Sequence, residues 1–299
     1  MASVACKFDH NPETRTEEAR VSPSRLPFVG PATEEEKGEI IKALSAPSLA
    51  NIVMKGFICD NGLTNPQNRG RFHTYRNKQN ELEGVALIGH TILFEAMNEA
   101  AIEAFARIAH GETSSHLLMG EHDAVQRFWN YYAHEKQSPR FVCPVLVLRR
   151  TEPFEVQQVP GLRLATRDDL EHVVCAQAAM ALETSNVDPL KKDARGFRER
   201  YLRRIDKKRV WVLMKNGRLV FKTDVIAEIP EATYIEGVYV SPEERGKGLG
   251  RSCLTGLGRI FLERTKAIFL FVERENSRTK SFYSNLGFSV ADQYDLLYF

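Results

Sequence analysis

The chain has 299 residues, enough for about two domains, and its 43% hydrophobic and 27% charged content excludes a wholly disordered or fibrous protein. Its 41 Lys and Arg against 39 Asp and Glu leave a formal charge of +2, too mild to point to nucleic acid or a membrane surface. The five cysteines, at 6, 59, 143, 175 and 253, form no CxxC pair, and their odd number fits reduced thiols in a cytosol. There is no apolar signal core at the N-terminus. The longest apolar run, Val85 to Phe94, is interrupted by His90 and is too short to span a bilayer. A cytoplasmic protein without a membrane segment is expected.

Residues 1 to 33 carry Pro12, Pro23, Pro27 and Pro31 among polar residues without periodicity, which predicts a flexible arm. Thr33 is placed to cap a helix with Glu34, Glu35 and Glu36 in its first turn and Ile40, Ile41 and Leu44 on one face. A second helix is predicted from Pro47 through Leu49, Ile52, Val53 and Phe57. Strands follow at Arg71 to Arg76 and Leu82 to Ala96. Helical spacing then marks Asn98 to Ala109 and Ala124 to Tyr132, with a short strand at His116 to Met119 and a buried strand at Arg140 to Leu148. Thr151 to Gly161, with Pro153 and Pro160, is the best linker candidate.

Beyond the linker, Leu162 to Ala165 is a predicted strand, and Thr166 with Asp169 forms a capping-box start to a helix through Leu170, Val173, Val174, Ala178 and Leu182. A basic helix from about Asp193 to Ile205 leads to a strand at Arg209 to Met214, and Asn216-Gly217 marks a tight hairpin into Leu219 to Ile226. The stretch 234–252, YIEGVYVSPEERGKGLGRS, reads as a buried strand ended by Pro242, a glycine-spaced loop, and a helix. Ala267 to Val272 is a further strand, Ser277 to Leu286 a helix with Gly287 at its end, and Tyr294 to Phe299 a last strand.

Strand, glycine loop and helix is an anion-binding arrangement, because the N–H groups of the loop and first helical turn can converge on a phosphate. A P-loop is excluded: Lys247 is followed by Gly248, which offers no hydroxyl to magnesium. A dinucleotide fingerprint belongs in the first βα turn of its domain, whereas this one sits in the last third of the chain. The segment 238–250, Val-Tyr-Val-Ser-Pro-Glu-Glu-Arg-Gly-Lys-Gly-Leu-Gly, resembles the acetyl-coenzyme A signature of the GNAT superfamily of N-acetyltransferases. A second match follows at 276–288, with Asn276, Tyr283 seven residues on, and Gly287-Phe288.

The resemblance implies an α/β acyl-CoA N-acyltransferase (GNAT) fold with a mixed sheet. The domain plan it suggests is an arm (1–33), a degenerate GNAT-like domain (34–150), a linker (151–161) and a complete GNAT domain (162–299). It implies acetyl-coenzyme A as co-substrate, bound by Val238, Tyr239, Val240, Arg245, Gly246, Lys247, Gly248, Leu249, Gly250 and Arg251, with Asn276 on the pantetheine arm. Tyr283 would protonate the leaving thiolate, and a backbone N–H near Val238 or Tyr239 would hold the oxyanion at a splay that Gly237 helps to open. The transfer needs a neutral amine, which costs a lysine-like group about 4.6 kcal/mol at pH 7 unless a base takes the proton. Glu236 is the candidate base, in competition with an ordered water or a plain ion pair. The acceptor is expected to be a primary amine on a small molecule or a protein, attacked directly in a ternary complex. A non-catalytic acyl-coenzyme A sensor and a tandem-GNAT aminoacyl transferase are the alternatives.

The basic run Lys191 to Arg209 is interrupted by Asp193, Glu199 and Asp206 and is read as a solvated helix face, not a nucleic-acid site. Glu183 is either an acceptor-site residue or plain surface. No HxxxH or HExxH pattern occurs among the eight histidines, so no metal is expected. Cys175 and Cys253 are read as core residues on apolar helix faces.

Overall fold

The computed structural model describes residues 27–112, 115–133, 139, 141–155, 158–185 and 187–298. Its first half runs β1 (Phe28–Pro31), α1 (Lys37–Ala43), α2 (Leu49–Asn61), β2 (Gly70–Arg76), β3 (Leu82–Gly89), β4 (Thr91–Ala96), α3 (Glu99–His110), β5 (Leu117–Glu121), α4 (His122–Tyr132) and β6 (Phe141–Arg150). Its second half runs β7 (Leu162–Leu164), α5 (Leu170–Ser185), α6 (Pro189–Asp206), β8 (Val210–Lys215), β9 (Arg218–Ile229), β10 (Ala232–Val240), α7 (Leu249–Leu262), β11 (Ile268–Glu273), α8 (Ser277–Ser284) and β12 (Ser289–Tyr298). The order βααβββαβαβ therefore occurs twice. Two residues of the cap chemistry repeat with it. Thr33 with Glu36 and Thr166 with Asp169 each form a capping box ahead of the first helix of their half.

The twelve strands of the described residues form one sheet in the order β1-β2-β3-β4-β5-β12-β6-β11-β10-β9-β8-β7. The centre of that order is an exchange. β12, the last strand of the second half, pairs antiparallel with β5 of the first, while β6, the last strand of the first half, pairs antiparallel with β11 of the second. The two exchanged strands pair with each other from Ser289↔Arg149 to Tyr298↔Phe141. The halves are thus joined by backbone hydrogen bonds through the middle of the sheet. The exchange crosses the expected domain limits at 150 and 162.

α2 belongs to the first half yet packs on β9, with Gly56 so close to Ala227 that a Cβ on the glycine would lie 2.5 Å from the alanine Cβ. One apolar cluster consequently holds Ile52, Val53 and Met54 together with Ala227, Tyr234 and Phe269. α5 and α6 pack beside α2 on the same face, and α7 and α8 cover the other, around Cys253, Leu257, Phe261 and Tyr283.

Several expectations need adjusting. The part of the arm at 28–31 is strand β1, paired with β2 from Phe28↔Arg76 to Pro31↔His73, and residues 1–26 lie outside the described residues. The strand expected over Leu82 to Ala96 folds back at His90 into the antiparallel pair β3 and β4. The linker is not loose throughout: Phe154 is 8% exposed, and its ring lies against Gly258 of α7, where a Cβ would come within 2.1 Å of it. That contact is the packing reason for a glycine inside α7. α6 starts at Pro189 rather than near 193. It kinks at Asp193, whose carboxylate accepts from the Gly196 N–H at 2.8 Å and acts as a second cap. Cys175 is exposed, not core, while Cys253 is buried as expected. The Asn216-Gly217 hairpin has both residues at positive φ, 51° and 73°, as a type I′ turn requires.

Candidate active site

β10 and β11 run parallel but pair only at Thr233↔Ile268 and Tyr234↔Phe269. Both strands continue past that point, so they diverge, and the backbone groups of β10 on its β11 side meet no strand beyond Tyr234. On its other edge β10 stays paired with β9, with a register shift between Glu236 and Tyr239. Gly237 sits in that shift at φ +60°, a conformation that favours glycine. The expected splay is therefore present, and the irregularity lies at Gly237.

A cleft of about 690 Å³ opens from the splay, within the size range of cofactor sites. It is lined by Val238, Tyr239 and Val240 of β10, by Arg245, Gly246, Gly248, Leu249 and Gly250 of the loop, by Arg251, and by Asn276 and Tyr283. The structure thus gathers every expected cofactor-binding residue except Lys247, whose ammonium lies 4.0 Å from Glu244. Gly246 and Gly248 adopt φ of +77° and +81°, and a Cβ on either would meet nothing within 4 Å. Their constraint is backbone conformation, not crowding. That turn leaves every N–H from Gly246 to Arg251 without an acceptor among the described residues. Unpaired N–H groups at the start of a 14-residue helix form an anion cradle.

Arg245 donates to the Val240 carbonyl at 3.1 Å and lies 3.8 Å from Glu183, which lines the same cleft. Glu183 therefore belongs to the rim of the cradle. Asn276 caps α8 by accepting from the Thr279 N–H at 3.0 Å, which leaves its amide NH2 for a ligand. Tyr283 is 6% exposed and packs edge-on against Phe282 and Phe288. Burial pushes its phenol well above the usual value of 10, so it stays protonated at any working pH. No described residue accepts from its hydroxyl, which leaves the proton available to a group arriving in the cleft.

Glu236 projects to the other face of the sheet, toward α5 and α6. It accepts a hydrogen bond from the Tyr234 hydroxyl. Burial raises its pKa above the usual carboxylate value, opposed by the Tyr234 hydrogen bond and the Arg204 charge. Behind it lies a network that sequence reasoning missed. Lys222 and Asp224 of β9 are 0% and 1% exposed and form an ion pair at 2.9 Å. The Lys222 ammonium also donates to Gln177 Oε1 at 2.9 Å and to the Gly237 carbonyl at 3.1 Å. Asp224 accepts from Arg204 at 3.1 Å and from the Tyr201 hydroxyl at 3.3 Å. A buried pair of this kind survives only when its remaining donors and acceptors are satisfied. Here one of those bonds pins the backbone beside Glu236. The sequence signal was two like-phased charges, Lys222 and Asp224, on a strand otherwise apolar at Val220, Phe221 and Val225.

Among the described residues, no group of three or more His, Cys, Asp or Glu is placed to hold a metal ion, and no helix is long and apolar enough to cross a membrane.

Residues 206–290 match the family model described as an acetyltransferase (GNAT) domain. No curated protein matches the chain by sequence. Among solved structures, a GNAT-family acetyltransferase from Colwellia psychrerythraea superposes with a TM-score of 0.56 at 13% identity, over 91% of this chain and 99% of its own. A tandem GNAT protein from the clavulanic acid biosynthesis pathway gives 0.56 at 15% identity, over 91% and 98%. A Drosophila protein gives 0.64 at 10% identity, over 90% and 97%. At such identities these likenesses speak to the fold, and they do so over nearly the whole chain.

Proposed function

From a chain whose residues 206–290 match the acetyltransferase (GNAT) domain model, we propose an N-acetyltransferase that moves an acetyl group from acetyl-coenzyme A to a primary amine in a ternary complex. The observation that carries this is the run of open N–H groups from Gly246 to Arg251, leading along one cleft to the Tyr283 hydroxyl and the β10–β11 splay. A pyrophosphate suits that cradle, and acetyl-coenzyme A would bring the thioester that the chemistry needs. Asn276 and the Val238–Val240 segment line the remaining length toward the splay.

The protein's own groups then divide the work. Glu236 takes the proton of the incoming ammonium, directly or through water, and its raised pKa makes it a stronger base than an ordinary carboxylate. Backbone N–H groups of β10 freed by the splay are available to the developing oxyanion. Tyr283 holds a proton until the thiolate leaves and then donates it.

Calorimetry with acetyl-coenzyme A and turnover with a panel of amines test this. No coenzyme binding at millimolar concentration overturns the proposal. Glu236→Gln tests the base: the acid limb of kcat/KM, lying above the ordinary carboxylate value of 4.5, disappears and turnover falls about a hundredfold. An unchanged pH profile removes Glu236 from the mechanism.

A further inference from the structure

The basic helix is not a uniformly solvated face. Arg195 and Arg198 do point outward and pair with Glu199 and Glu171. The following turns face the seam between the halves, where they line a second pocket of about 170 Å³. Its walls come from both halves: the end of α2 and Arg69 from the first, the last turns of α6 and the Val225–Ile226 segment of β9 from the second.

The charge in that pocket is unbalanced. Arg69, Arg200, Arg203, Arg204, Lys207 and Arg209 line it, against a single carboxylate, Asp60. Asp60 is engaged by Arg209 at 2.7 Å, and Lys207 donates to Asn61 Oδ1 at 2.5 Å. Arg200 reaches Asp193 only at 3.4 Å. Arg69 and Arg203 have no carboxylate within ion-pair distance among the described residues. Burial and the neighbouring Arg200, Arg204 and Arg203 charges lower the pKa of Arg69, and burial with the nearby Arg69 pushes the His90 imidazole down to about 4. Clustered guanidinium groups at close quarters repel one another, and a bound anion relieves the repulsion through paired N–H donors.

The pocket is also wired to the proposed base. Arg204 lines it and at the same time donates to Asp224, whose partner Lys222 holds the carbonyl of Gly237 beside Glu236. Both lie on the α2, α5 and α6 face of the sheet, the face turned away from α7 and α8.

We propose that this seam pocket binds the anionic group, a phosphate or carboxylate, of the amine acceptor, which places the amine at Glu236. The inference rests on the transferase function proposed above and gives the first half a part in it, since that half supplies one wall of the acceptor site. The pocket's volume suits one such group and not a nucleic-acid strand.

The test uses matched amines, ethanolamine against phosphoethanolamine and propylamine against β-alanine, with the full chain and acetyl-coenzyme A. At least a tenfold kcat/KM preference for the anionic member of a pair is expected. In the double variant Arg69→Gln/Arg203→Gln that preference disappears through KM with kcat held, and Arg69→Lys/Arg203→Lys restores part of it. Inorganic phosphate should compete with phosphoethanolamine. No preference in the wild type, or a preference that survives the double variant, overturns the inference. Salt-sensitive binding of a transfer RNA that the double variant abolishes, without any preference among small amines, overturns it in favour of nucleic acid. Coenzyme calorimetry reads the transferase proposal separately. Should that fail, inorganic phosphate binding abolished by the double variant still supports an anion site at the seam, and its absence removes it.

Discussion

The two halves of the sheet open in the same way and are finished differently. β4 and β5 pair only at Thr91↔Leu117 and Ile92↔Leu118 before parting, as β10 and β11 pair only at Thr233↔Ile268 and Tyr234↔Phe269. After β4 the chain enters α3 almost at once. The Asn98 side chain accepts from the Ala101 N–H at 2.9 Å, and Glu99 adds a carboxylate to the first turn. After β10 a longer loop intervenes, and the cap of α7 is Gly248, which has no side chain to offer. One helix start is sealed by its own cap and made negative; the other is left open to an outside anion. The splay is a property of the fold, while an open anion cradle is a property of a few residues between strand and helix.

The largest effect that would sharpen this contrast comes from separating the halves. Residues 158–299 expressed alone lack β6, so β11 loses its partner strand, and we expect no folded monomer by size-exclusion chromatography and circular dichroism. A stable monomer would show that the halves are independent after all. Next, Tyr283→Phe should lower kcat about a hundredfold or more with little change in KM, read by steady-state kinetics. Full activity would return the residue to a packing role.

The strand-to-helix connections can be compared directly. Gly248→Val forces a β-branched residue to φ +81° and should raise the KM for acetyl-coenzyme A at least about tenfold. Asn98→Ala should cost about 1 kcal/mol in thermal unfolding and leave that KM unchanged. A coenzyme effect of Asn98→Ala would mean that the first splay also takes part in binding.

The smallest effect concerns the repeated capping boxes. Hydrogen bonds from Arg163 and then Thr166 hold Asp169 down to about 2, below its ordinary 3.8, so its contribution of about 2 kcal/mol is complete above pH 3.8 and lost as pH falls through about 2. Asp169→Ala should therefore lower stability at neutral pH by about 1–2 kcal/mol and flatten the acid end of the unfolding profile, followed by denaturant melts. Equal slopes for variant and wild type would contradict the assignment.

What was legible in the sequence was local. The glycine loop, the Asn276 and Tyr283 spacing, the Thr166 capping box and the Asn216-Gly217 hairpin depend on neighbours a few residues apart, and each adopts the expected geometry. What escaped depends on partners far along the chain. Lys222 and Asp224 alternate on a strand in a way that also describes a wet face, and only α5 and α6 folding over them makes them interior. The arginines of α6 look solvated until the Arg69 turn of the other half is brought opposite. Nothing local to β6 or β12 says which half it will complete, because each strand's partners, β11 for β6 and β5 for β12, lie far along the chain.

The exchanged strands set a schedule for the chain as it is made. β12 is synthesised long after β5, and β5 must wait for it. At ordinary translation rates roughly 7 to 30 s separate the end of β6 from the end of β12. During that interval β5 and the β12 side of β6 are exposed edges in a half-finished sheet, and the other side of β6 is exposed too until β11 is made; each is able to accept a strand from another nascent chain. The same ladder that unites the finished molecule therefore makes its synthesis sensitive to crowding by copies of itself, and slower, colder or more dilute expression should raise the yield of monomer.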